Sequence, residues 1–148
     1  MADWTTLFGS QLKTKEGTKA TADVLGGKKI VGIYFSAHWC PPCRQFTPIL
    51  ATLYEDMLED HEAEFDIVFV SSDRDEQGFN GYYESMPWKA LPFVSRDEKA
   101  RLAQMYGVQG IPMLVFLNEN GQVITADGRS VIMNCRGNAD QIWSALTK

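Results

Sequence analysis

A chain of 148 residues, 45% hydrophobic and 22% charged, has the size and apolar content of one domain with a real core. Its 14 basic and 19 acidic residues give a net charge of -5, and neither sign forms a block that would mark a nucleic-acid or anionic-membrane surface. No uninterrupted apolar run approaches the roughly 18 to 20 residues that span a bilayer, and MADWTTLFGSQ lacks the charged and apolar regions of a secretory signal. The expectation is therefore one unit over residues 1–148, in the cytosol and also the nucleus, with no membrane and no direct nucleic-acid partner.

The first 27 residues carry weak signals, with KTKEGTK reading as a polar turn between two short strands. KKIVGIYFSA, residues 28–37, is an apolar run rich in β-branched and aromatic residues, which suits a strand buried on both faces. It runs directly into HWCPPC. From Pro41 onward Phe46, Ile49, Leu50, Leu53, Tyr54, Met57 and Leu58 recur at helical spacing. Pro41 and Pro42 suit a helix's first turn, where a missing N–H costs little, whereas Pro48 lies deeper and is expected to kink the helix. EFDIVFVSSD, residues 64–73, reads as a second buried strand, followed by a short helix over residues 78–85 that ends before Pro87. Ser95 and Glu98 have the spacing of a capping box for a helix to about Tyr106, with Gly107 as its stop. MLVFLNENGQVIT, residues 113–125, holds an Asn-Gly turn between apolar segments and reads as a β-hairpin. Asn138 with Gln141 suits the start of a last helix that carries Ile142, Trp143 and Leu146 inward. Strand, helix, strand, helix, hairpin, helix describes an α/β domain whose sheet is parallel in its first half and antiparallel in its second.

Two of the three cysteines, Cys40 and Cys43, therefore stand where a strand gives way to a helix. A structural staple is a poor reading, because so short a loop constrains the unfolded chain little. A zinc site needs about four ligands, and only Cys135, His38 and His61 remain to complete one. A working dithiol is the better reading. A cysteine at a helix N-terminus meets unpaired N–H groups and the positive end of the helix dipole, which favour thiolate and make Cys40 the expected nucleophile. Cys43, one turn on, lies on the same side of the helix and is the expected resolving thiol. Beside an exposed nucleophile Trp39 is expected to form a flat platform for substrate. His38 reads as a polar residue at a strand end, Arg44 as a solvated cation, and Cys135 as a buried small hydrophobe, with a regulatory thiol as the alternative. Ile111 and Pro112 stand where a strand begins. Proline is tolerated there, while a cis bond would instead bare the Ile111 backbone to an extended substrate.

WCPPC at residues 39–43, Pro48, the distant Ile111-Pro112 and the order of elements together resemble the thioredoxin superfamily over nearly the whole chain. SAHWCPPCRQFTP, VSSDRDEQGFNGYYESMPWKALPF and VITADGR resemble more narrowly its tryparedoxin and nucleoredoxin branch. The resemblance implies a thioredoxin fold, a central mixed sheet with helices on both faces, and a disulfide oxidoreductase. It also implies a cis Pro112 and substrate contact through Trp39, Ile111, Pro112 and Arg129. Two departures matter. Tyr34 stands where thioredoxins carry a buried aspartate, so the proton acceptor for Cys43 is unassigned, and Ser72 and Arg74 replace a Trp and a Glu that help tryparedoxins hold a glutathione-spermidine conjugate.

The function expected is reduction of protein disulfides through Cys40 and Cys43, restored by an external reductase or low-molecular-weight thiol, with no metal, flavin or nucleotide. The alternative from another class is a redox-regulated binding module that holds a signalling protein or transcription factor. Isomerase activity is a third option, disfavoured by the missing secretory signal.

Overall fold

The computed structural model describes residues 3–136 and 138–147. Its elements are α1 (Trp4–Phe8), β1 (Gln11–Thr14), β2 (Gly17–Ala20), α2 (Thr21–Leu25), β3 (Ile30–Ser36), α3 (Pro41–His61) and β4 (Phe65–Ser71), then α4 (Glu76–Tyr83), β5 (Lys89–Ala90), α5 (Arg96–Met105), β6 (Met113–Asn118), β7 (Val123–Thr125), α6 (Gly128–Asn134) and α7 (Ala139–Leu146). Among the described residues seven strands form one sheet in the order β2-β1-β5-β4-β3-β6-β7.

The two longest strands, β3 and β4, are buried at every residue and pair in parallel from Ile30 opposite Phe65 to Ser36 opposite Ser71. Side chains alternate across a pleated strand, so each sends residues into two separate cores. Ile30 and Tyr34 pack with α3, α4, α6 and α7, whereas Val31, Ile33 and Phe35 pack with α1, α2 and α5. Each fully buried side chain of this kind contributes about 1.5–3 kcal/mol. Gly32 fills the remaining inward position because a Cβ there would lie 3.1 Å from the Phe116 ring and 3.2 Å from Ile67.

The parallel strands are β3, β4 and β5, with antiparallel partners on both sides: β6 and β7 beyond β3, β1 and β2 beyond β5. The expected division into a parallel first half and an antiparallel second half is corrected accordingly, since the N-terminal hairpin supplies one edge through the Lys13–Ala90 pairing. α1, α2, β5 and α6 were not foreseen. The capping box is also corrected: Ser95 is the N-cap of α5, but its side chain makes no capping bond, while Asn138 does accept the Gln141 N–H at 3.0 Å. Trp143 is half-buried and stacks on His61 with ring centroids 3.8 Å apart, so it covers the core edge instead of filling it. α3 continues as one helix through Pro48, which lies on its exposed face.

Candidate active site

Because β3 ends at Ser36 and α3 begins at Pro41, the segment Ala37 to Cys40 forms the bend between the sheet and the helix. Cys40 is the N-cap residue of α3. Pro41 and Pro42 occupy the first two helical positions and have no N–H, so Cys43 offers the first free donor of the helix. That N–H points to Cys40 Sγ at 3.3 Å, an interaction that strengthens when the sulfur is charged. The Cys40 thiol lies 3.7 Å from the carbonyl oxygen of Ile111, and Ile111 packs against Ala37 and both cysteines. The Ile111-Pro112 bond is cis. Cys40 is only 5% exposed, which corrects the expectation of an open nucleophile: it clusters with Ala37 and Cys43, and Ile111 packs against that cluster.

Trp39 is 50% exposed, and its indole N–H donates to the Ser72 carbonyl at 3.0 Å. The Arg74 guanidinium carbon stands 5.6 Å from the ring centroid. Arg129, at the start of α6, lies 5.6 Å from the Phe46 ring centroid and donates to the Pro112 carbonyl at 3.4 Å. Of the predicted substrate residues, Ile111 lies beside the Cys40 sulfur, Pro112 follows it in sequence, Arg129 is tied to the Pro112 carbonyl, and the Trp39 indole is held by the Ser72 carbonyl. A groove of about 250 Å³ opens between Trp39, Phe35, Val108, Ile111 and Lys99. A wider cleft, about 850 Å³, lies between the Asn118 turn and Trp143, at the opposite end of β3 from the cysteines.

Cys43 is fully buried. Burial, then its hydrogen bond with Cys40, pushes its thiol up to about 11, while the Ser36 hydroxyl and the Ala37 backbone pull the other way. The position held by aspartate in thioredoxins is here the buried Tyr34, whose hydroxyl meets Thr47 Oγ1 at 2.7 Å. Burial raises Tyr34 and Tyr82, so both stay protonated near neutrality.

Several contributors were not singled out from the sequence. Asp73, 7% exposed, accepts the His38 N–H at 2.8 Å and the Ser71 hydroxyl at 2.6 Å, which anchors the bend to the end of β4. Arg96 donates to the Ser71 carbonyl at 3.1 Å beside it. The only sequence signal for Asp73 was the polar run SSDR following an apolar strand, and Arg96 had none. His38 itself is exposed, with its ring stacked on Tyr82 at 5.2 Å. Cys135 is half-buried against the core, not fully buried as expected. Among the described residues no three His, Cys, Asp or Glu side chains gather as a metal site would require.

A family model described as thioredoxin-like matches residues 27–123, which span the bend, both buried strands and β6. The chain belongs to the thioredoxin-like family. The probable nucleoredoxin 1 of Arabidopsis thaliana is 49% identical over 119 residues, 80% of this chain and 20% of that protein. The solved tryparedoxin of Trypanosoma brucei is 37% identical, with a TM-score of 0.80 over 90% of each chain. The thioredoxin of Wuchereria bancrofti is 44% identical, with a TM-score of 0.78 over 94% of each. The chain thus spans about a fifth to a quarter of the nucleoredoxins it matches and nearly all of the tryparedoxin. The thioredoxin-like fold and the two neighbouring thiols give this unit the groups that thiol–disulfide exchange requires. Among the described residues no helix is long and apolar enough to cross a membrane.

Proposed function

We propose that this chain reduces disulfides in other proteins, acting as one thioredoxin-like unit over residues 1–148. The Cys40 thiolate attacks a target sulfur and forms a mixed disulfide. Cys43 then attacks Cys40, closing the Cys40–Cys43 bond and releasing the reduced target. The observation that carries this reading is the Cys43 N–H directed at Cys40 Sγ, 3.3 Å away, at a helix start where two prolines withhold their own donors. It makes Cys40 the sulfur that the helix N-terminus serves, and leaves Cys43 as the buried partner that acts second.

The target chain lies across the Ile111 and Pro112 backbone, with Trp39 as its platform and Arg129 fixing the Pro112 carbonyl. An external reductase or a low-molecular-weight thiol returns the pair to the dithiol, in the cytoplasm or nucleus. Turnover of insulin disulfides, measured alongside the equilibrium potential of the pair against a glutathione series, tests this. A potential near about -270 mV with turnover supports a reductase, whereas one near about -120 mV, or a pair that never cycles, overturns it.

A second reading, a redox-regulated module that holds a signalling protein or transcription factor, is favoured by the match to a small part of much longer nucleoredoxins. It predicts little insulin turnover and capture of a single partner by a Cys43→Ser variant.

A further inference from the structure

The groove of about 250 Å³ that Trp39 and Ile111 both line lies beside the attacking sulfur, since the Ile111 carbonyl oxygen is 3.7 Å from Cys40 Sγ. Phe35, Ala103, Val108 and Ile111 make the lining largely apolar. Its charge is of one sign: Lys99, from α5, lines the groove, and no carboxylate does. A second cation stands at the platform, where the Arg74 guanidinium carbon is 5.6 Å from the Trp39 ring centroid. The indole is tied to the Ser72 carbonyl at 3.0 Å, so the loop after β4 carries both the anchor of the ring and the cation against it.

In a chain of net charge -5, carboxylates that could neutralise these cations are plentiful. Elsewhere the basic side chains are engaged: Lys29 and Lys89 pair with Glu64 and Asp66, Lys13 and Lys28 donate to Asn80 and the Glu62 carbonyl, and Arg101 and Arg129 donate to the carbonyls of Leu7 and Pro112. Among the described residues the charged groups of Arg74 and Lys99 have neither a hydrogen-bond nor an ion-pair partner. Arg44 and Arg136 are also free, but neither lines the groove. The carboxylates nearest in sequence are turned to other tasks. Asp73 accepts from the His38 N–H and the Ser71 hydroxyl, and Asp75 Oδ1 accepts the Gly78 N–H at 2.8 Å as the N-cap of α4. Glu98, next to Lys99, reaches toward Gly9, where a Cβ would lie 3.5 Å from its Oε1, and lines a different groove. A cation on a partly enclosed apolar wall attracts an anion more strongly than one in open water, because less solvent screens it.

We propose that Lys99 and Arg74 determine which disulfides the dithiol prefers, favouring a target protein whose cysteine is flanked by a carboxylate side chain. The proposal deepens the reading of this chain as a protein-disulfide reductase and rests on it. A target laid across the Ile111 and Pro112 backbone, with its sulfur at Cys40, offers the groove the side chains beside its cysteine. Glu or Asp there meets Lys99 above the apolar lining, and Arg74 adds positive charge at Trp39. Lys or Arg there meets two cations of its own sign, so the same pair also rejects basic targets.

The test uses the full chain and three cystine-bridged peptides, identical except that the residues flanking one cysteine are Glu, Gln or Lys. The rate constant for peptide thiol release by the reduced protein should be about threefold to tenfold higher for the Glu peptide than for the Gln peptide, and lowest for the Lys peptide, as two partly exposed charge contacts imply. The differences should shrink when ionic strength is raised from about 0.02 M to about 0.5 M. Lys99→Gln and Arg74→Gln should each narrow the Glu-to-Gln ratio and together bring it to about one, Arg74→Lys should keep most of it, and Lys99→Glu should turn the preference toward the Lys peptide. Because every variant is scored as a ratio, a loosened Trp39, which would slow all three peptides alike, does not imitate the result. Equal rates for the three peptides with wild type, or a Glu preference that survives in the double variant, would overturn the selection while leaving the reductase reading intact. Failure of the folded wild-type protein to reduce any of the three would overturn both.

Discussion

Asp73 gives the most exacting test of how the bend is held. Its carboxylate accepts two hydrogen bonds in a nearly closed environment, from the His38 N–H at 2.8 Å and the Ser71 hydroxyl at 2.6 Å. Its own N–H is taken by Ser71 Oγ at 2.9 Å. Hydrogen bonds to a charged group contribute about 1.5–3 kcal/mol each, so Asp73→Ala should cost about 3 to 6 kcal/mol. That is a large share of the roughly 5–15 kcal/mol that holds such a domain together. Asp73→Asn keeps an oxygen for the His38 N–H and loses only the charge and one well-oriented acceptor, about 1 to 2 kcal/mol. Urea unfolding of the reduced proteins reads both. With a slope of about 2 kcal/mol per molar, the alanine variant should shift the midpoint by about 1.5 to 3 M and the asparagine variant by about 0.5 to 1 M. An alanine variant within about 1 kcal/mol of wild type, or two variants with equal midpoints, would refute the claim that a buried, charge-assisted pair of bonds fixes the bend.

Three further outcomes follow from other parts of the structure. Burial raises the Cys43 thiol from 9.0 to about 11, so the folded state holds that proton more tightly than the unfolded chain. The resulting stability is complete below about pH 9 and is lost as pH rises through about 11, so reduced wild type should lose more stability over that window than reduced Cys43→Ala, and parallel curves would contradict it. Gly128→Ala would bring a Cβ to 2.8 Å from the Leu114 carbonyl oxygen, Leu114 Cγ and Phe116 Cε2. It should cost about 1–3 kcal/mol, lower the melting temperature by about 3 to 10 °C and weaken protein-disulfide turnover by displacing Arg129; an unchanged melting temperature would be contrary evidence. Trp39→Ala should raise KM for a protein disulfide about tenfold while altering stability by less than about 1 kcal/mol, because the indole is half exposed and its proposed role is as a platform for substrate. Equal kinetics on protein and small disulfides would remove the platform role.

The parts of the molecule most legible in the sequence were those with strong patterning. β3 and β4 are continuous apolar runs because both faces are covered, and α3 carries its apolar residues at helical spacing, so the junction bearing Cys40 and Cys43 was evident. Less legible were elements too short to show a period: the five-residue α1 and α2, the two-residue β5, and α6, whose start is marked only by Asp127 accepting from Ser130. Trp39, Ile111 and Pro112 were readable from their places beside the cysteines and at a strand start, whereas Arg129 came only with resemblance to the family; Ile111 lies beside Cys40 and Arg129 is tied to the Pro112 carbonyl. The groups behind the cysteines were hidden for a different reason. Ser36, Thr47 and Tyr82 come from β3, α3 and α4, and nothing in their spacing reveals that their hydroxyls meet. Asp73 was similarly silent, since its partners His38 and Ser71 lie on either side of α3 in the chain.

The central claim is that Cys40 is the attacking sulfur and Cys43 the releasing one, and the most direct measurement is mapping of the trapped intermediate. A Cys43→Ser variant mixed with a protein disulfide, acid-quenched and digested, should carry the target covalently on the peptide containing Cys40, and a Cys40→Ser variant should carry none. An adduct on Cys43 or Cys135, or no adduct with either variant, would contradict the account.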